Sequence, residues 1–143
     1  VVSSAGNSGT FSSLPANQYI VTVSATDPND VIYSWSTTGD CVTLSAPGCV
    51  VTTFNGNGYG SACGTSFSSP VVAGVTALIL SANPNLTPTQ VVSILRSTAD
   101  DLGPAGLDTT FGYGRVNAAR AVQQAISTTA NSTPPPPPPQ RRT

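Results

Sequence analysis

Residues Gly64 to Gly74, GTSFSSPVVAG, lead into an uncharged apolar run that ends at Leu80. A helix over Val71 to Leu80 is hydrophobic on every side and has to be buried, so the rest of the chain must build layers around it. Pro70 is tolerated only near a helix start, where its missing N–H would lack a partner anyway. The pattern therefore predicts a helix that begins near Ser66 and ends near Asn83, before Pro84. A hydroxyl at such a start faces unpaired N–H groups and the positive end of the helix dipole. That environment stabilises an oxyanion as it develops. Thr65 and Ser66 are equally suited to capping a core helix, so the pair alone does not separate catalysis from structure.

The whole string does separate them. GTSFSSPVVAG resembles the nucleophile motif of the subtilisin-like serine peptidases, the subtilases, with Ser66 in the nucleophile slot. A second element, Ser4-Ala5-Gly6-Asn7-Ser8-Gly9, is similar to the segment that carries the family's oxyanion-hole asparagine, here Asn7. Further on, Gly112-Tyr113-Gly114-Arg115-Val116-Asn117-Ala118 resembles the turn before the family's last helix. The resemblance covers about residues 1 to 126. It implies an α/β, three-layer subtilisin-like fold with a mostly parallel sheet and the nucleophile helix through its middle. It further implies acyl transfer by Ser66 on a protein or peptide substrate. Asn7 would donate to the carbonyl oxygen, Thr65 would assist, and Ser4, Ala5 and Gly6 would wall one side of the primary specificity pocket.

A serine hydroxyl needs an adjacent base, and the chain contains no histidine. In the family the aspartate and histidine precede the serine in chain order. The expectation is a C-terminal part of a catalytic domain, inactive by itself and partnered by a missing N-terminal half. The competing reading is a catalytically inactive subtilase-fold module that binds or supports in an extracellular protein. A third is an extracellular binding domain on a proline stalk, with no catalytic history.

Calcium is possible in the intact family member. Asp27-Pro28-Asn29-Asp30 is an oxygen-rich turn of the kind that holds hard cations, and equally an ordinary solvated turn. The family often places an aspartate in the apolar strand before Ala46-Pro47-Gly48, where this chain has Thr43. No cofactor or metal site is therefore assigned to this chain.

Composition narrows the partners. Charged residues make up 8% of the chain and its net charge is −1, which leaves no basic patch for nucleic acid. Val71 to Leu80 falls short of the roughly 20 apolar residues that span a bilayer, so no membrane span is expected. Lysine and glutamate are absent and Ser, Thr, Gly and Asn fill the surface, which fits a secreted protein.

Along the chain, Val1 to Ala5 reads as a strand end and Gly6 to Gly9 as a turn. Tyr19–Ala25, Val31–Ser36, Val42–Ala46 and Val50–Phe54 read as strands, and Gly56 to Gly60 as a flexible loop before the nucleophile. Tyr59 is placed to pack under the serine turn. Cys41 and Cys49 are placed to close a short loop across Ala46-Pro47-Gly48, leaving Cys63 over. The alternative is that all three cysteines are small core hydrophobes. Thr87-Pro88-Thr89-Gln90 is a capping box for a helix with Val91, Val92, Leu95 and Ala99 on one face. Asp100 and Asp101 read as a solvated turn, and Asn117 caps a last helix. Residues 1–126 thus form the catalytic portion. Residues 127–143, with six prolines from Pro134 to Pro139, read as a stiff linker.

Overall fold

The computed structural model describes residues 1–128. In chain order it contains β1 (Val2–Ser4), β2 (Phe11–Ser12), β3 (Val21–Thr26), β4 (Thr38–Gly39), β5 (Val42–Pro47), β6 (Cys49–Phe54) and β7 (Gly58–Cys63). The helices α1 (Thr65–Ala82), α2 (Pro88–Ser97) and α3 (Ala118–Ser127) follow.

Strands β1, β3 and β5 make a parallel sheet in that order, with Val2 opposite Val21 and Val23 opposite Leu44. Alternation decides the two faces. Val21, Val23, Leu44 and Ala46 join Val72, Val75 and Ile79 of α1, Leu95 of α2 and Ala121 of α3 in one core. The other face is built of buried small polar residues, Ser24, Thr26, Thr43 and Ser45. Loops cover that face and satisfy part of it: Ser24 donates to the Thr110 carbonyl and Ser36 accepts from the Ala25 N–H, while the Thr26 and Ser45 hydroxyls are buried without a partner. The α/β reading holds. Among the described residues the helices share the apolar side and loops cover the polar one.

Helix α1 starts and ends where the sequence predicted, but it is not buried all round. Val72, Val75 and Ile79 face the sheet, while Ala73, Gly74, Ala77, Leu78 and Leu80 are exposed, Leu78 at 52%. Among the described residues the three-stranded parallel sheet packs on one side of this helix, and one sheet covers one side of a helix. At 18 residues α1 is long and apolar enough to cross a membrane by length and composition, which the shorter run counted in sequence missed. Its contacts with β1, β3, β5, α2 and α3 make it the central helix of this fold.

Three expectations need correction. Val31–Ser36 is not a strand; only Ile32 bridges to Thr26, and Tyr33 and Trp35 stack with ring centroids 4.7 Å apart. Gly56–Gly60 is not a free loop. Gly56 and Asn57 adopt positive φ and turn the chain into an antiparallel hairpin of β6 and β7, on which Tyr59 is 78% exposed rather than packed under the serine. The disulfide joins Cys49 to Cys63, and Cys41 is the free cysteine. Register decides this pairing, because Cys49 and Cys63 lie directly opposite at the open end of the hairpin.

Both helix caps are as read. Thr87 and Gln90 form the reciprocal box at α2, and the Asn117 side chain accepts from the Arg120 N–H at α3. The polyproline run and most of residues 127–143 lie outside the described residues.

Candidate active site

The first turn of α1 projects from the sheet beside the end of β1. Gly64 occupies the N-cap position with φ of 155° and offers no side chain to the helix. The orphan N–H groups of the first turn must therefore find partners elsewhere. The Thr65 N–H donates to Asn7 Oδ1 at 2.9 Å, and the Thr65 hydroxyl donates to the same oxygen at 2.9 Å. That hydroxyl also accepts from the Gly6 N–H at 3.1 Å. Thr65 is fully buried, so these three bonds fix its rotamer and tie β1 to α1.

This geometry settles which way Asn7 faces. A backbone N–H can only donate, so the amide oxygen must lie against Thr65 and the amide nitrogen must point away from it. A Cβ built on Gly64 would sit 3.3 Å from Asn7 Nδ2 and 3.8 Å from both the Ser66 nitrogen and Asn7 Oδ1, the oxygen already taken by Thr65. The missing side chain thus leaves an opening flanked by two N–H donors. Neither donor has an acceptor among the described residues, and Ser66 is exposed. The structure brings Ser66, Thr65 and Asn7 together.

Ser4, Ala5 and Gly6 lie half-buried on the approach to Asn7. Their backbone continues the sheet: the Ala5 N–H donates to the Val23 carbonyl, and the Gly6 carbonyl accepts from the Thr37 N–H. Two residues that sequence reasoning passed over brace the helix start. Buried Ser68 donates to the Pro47 carbonyl at 3.1 Å, and the Gly64 N–H donates to the Gly48 carbonyl at 2.8 Å. Ser68 stood in the motif as one of three nearby serines; only its position one turn inside the helix, facing β5, marks it out.

No group with a displaced pKa belongs to this cluster. The displaced groups sit in the loops around Arg115, in a network the sequence reading took for a solvated turn. Asp100 pairs with Arg115 and Arg120 at 2.8 Å each, and Arg115 also binds Asp30. Partial burial pushes Asp100 upward, but hydrogen bonds from Arg115 and Asn117 and the charges of Arg120 and Arg115 outweigh it and hold the carboxyl below its usual value. Arg115 is raised in turn, chiefly by its hydrogen bond to Asp100. A groove of about 900 Å³ lined by Tyr19, Val92, Arg96 and Tyr113 shares no residue with the Ser66 cluster.

In the acidic turn both aspartates have partners within the protein. Asp27 Oδ1 accepts from the Asn29 and Val31 N–H groups, and the Asp30 carboxylate faces Arg115. The Val31 bond leads the causes that lower the Asp27 pKa. Thr43, which stands where the family often has an aspartate, is buried and its hydroxyl accepts from the Thr22 N–H.

Known proteins resemble this chain over most of its length. The family model described as the Subtilase family matches residues 1–114. The chain is 40% identical over 125 residues to a halolysin-like extracellular serine protease, Nep, of Natrialba magadii, covering 85% of this chain and 23% of that protein. It is 40% identical over 130 residues to subtilisin DY of Bacillus licheniformis, covering 86% of this chain and 46% of the relative. A crystal structure of a lanthipeptide protease superposes with a TM-score of 0.77 at 30% identity, covering 87% of this chain and 50% of that one. The chain thus spans at most about half the length of these three proteins. With the family model matched over residues 1–114, most of its length, the chain belongs to the subtilase family.

Proposed function

We propose that the chain is the Ser66-bearing portion of an extracellular serine endopeptidase. The observation that carries this reading is the pair of donors, Asn7 Nδ2 and the Ser66 N–H, left open across Gly64 beside an exposed hydroxyl. A neutral amide donor gains most when the oxygen it meets becomes an anion, so this pair favours the tetrahedral intermediate over the substrate carbonyl. Ser66 Oγ attacks the scissile carbonyl and gives its proton to a base. The new oxyanion settles between the two donors. Collapse expels the amine, which takes that proton, and water then releases the acyl group. With no histidine among the 143 residues, the base and its carboxylate partner come from polypeptide outside them. Thr65 holds the Asn7 amide for donation, and Ser4 to Gly6 line the approach.

Extracellular placement is supported by the names of the relatives and by the Cys49–Cys63 disulfide, which fits an oxidising compartment. The test is labelling of the histidine-containing full-length protein by a fluorophosphonate. Covalent adduct is expected on Ser66 and is lost in Ser66→Ala. In Asn7→Ala the labelling rate and kcat fall by about 100–1000-fold, the range found on removing such a donor in a member of this family. A full-length protein that carries the histidine yet never labels would favour the inactive binding module instead.

A further inference from the structure

We propose that the Cys49–Cys63 disulfide is a positioning element for the nucleophile, an inference that rests on Ser66 being that nucleophile. Cys63 directly precedes Gly64, Thr65 and Ser66, so any play in its backbone passes into the first turn of α1. Hydrophobic burial does not hold the hairpin that carries it. Most of β6 and β7 is exposed, including Val51 at 75% and Phe54 at 51%. The hairpin forms a two-stranded sheet of its own, and such a pair is marginal in water without further support.

The opposite end of the bond is anchored. Gly48, just before Cys49, donates to the Thr26 carbonyl at 2.9 Å. It is packed so closely that a Cβ there would meet the Ala25 Cβ at 2.6 Å and the Tyr33 and Trp35 rings at 3.1 Å. The same Gly48 accepts from the Gly64 N–H. The disulfide and this hydrogen bond are therefore parallel links, one covalent, between the chain leaving β5 and the N-cap of the nucleophile helix, with the Ser68–Pro47 bond one turn further in. Gly64 lends no side-chain cap, and the opening between the two donors depends on where its backbone lies. Loosening Cys63 frees the Gly64 backbone and so distorts the opening between the two donors, while the Thr65 bonds keep Asn7 against α1. Substrate binding elsewhere is untouched.

The experiment uses the full-length peptidase and compares wild type, Cys49→Ala/Cys63→Ala and Cys41→Ala. In the double variant kcat on a peptide ester and the fluorophosphonate labelling rate are expected to fall about 10–100-fold, with KM within about threefold, well below the melting temperature. Cys41→Ala behaves as wild type. Should the double variant fail to fold, the same question is put to folded wild type by dithiothreitol. That dithiol gives two electrons and two protons, leaves Cys49 and Cys63 as thiols and ends as its own cyclic disulfide. Reduction must lower kcat, and reoxidation must restore it. Undiminished kcat in the folded double variant or the reduced protein overturns the positioning role while leaving Ser66 labelling intact. Wild type that never labels at Ser66 overturns the reading beneath it instead.

Discussion

At the scale of single residues, Thr65 organises more of the site than its place beside the serine suggests. Its hydroxyl both donates to Asn7 and accepts from Gly6, so one buried side chain aims the amide and sets the distance between β1 and α1. Thr65→Val keeps the shape and removes both bonds, at about 1 kcal/mol for each net hydrogen bond. We expect kcat of the full-length enzyme to drop about tenfold, because the amide is then held by the Thr65 N–H alone. Thr65→Ser should recover most of the loss; equal defects in the valine and serine variants would show that the methyl group matters and the hydroxyl does not. That Ser66 and Asn7 would meet was legible from the resemblance of their two segments to one family, since the structure brings them together across Gly64. The roles of Thr65 and Gly64 were not, since they depend on contacts between segments nearly sixty residues apart, as in the Asn7–Thr65 bonds.

Among the elements, those with local causes were legible and those with distant ones were not. Helices α2 and α3 announce themselves through Thr87 and Asn117, whose caps close within three residues. Strands β3 and β5 alternate apolar and small polar residues. By contrast Val31–Ser36 has strand composition but serves as a cover for the polar face of β3, a role no propensity encodes. Strand β7 hid behind its glycines, although Asn55-Gly56-Asn57-Gly58 between extended runs is a hairpin signal. Asp100 was misplaced for the same reason, because Arg115 reaches it from the loop before α3. That pairing has a pH consequence. The folded pKa of Asp100 lies below its ordinary value of 3.8, so its stabilisation is fully present above that value and is lost as pH falls through the lower, folded value. Asp100→Asn should lower the melting temperature at pH 7, modestly because the partners are about one-third exposed or more, and the gap to wild type should close in strong acid. A gap that persists unchanged at low pH would show that Asp100 acts through something other than its charge.

For the whole molecule, the described surface carries several large apolar side chains, among them Leu14, Leu78, Leu80 and Ile126. Helix α1 turns Ala73, Gly74, Ala77, Leu78 and Leu80 outward, and β1 is paired on one side only among the described strands. An uncovered apolar helix face next to a free strand edge favours association. The 143-residue chain prepared alone should bind a hydrophobic dye and self-associate, more so in sulfate, which strengthens apolar burial. A monodisperse monomer with a sharp cooperative melt and no dye binding would contradict this.

The ion network around Arg115 also bears on how the chain survives among other proteases. With no lysine, a trypsin-like enzyme can cut only after arginine, and the described residues hold Arg96, Arg115 and Arg120. Arg96 and Arg120 sit in helices and Arg115 in backbone bridged to Asp100, so none lies on a loose strand that an attacker could thread. Digestion of the folded region then waits on its opening, and the clipping rate becomes a clock for local unfolding.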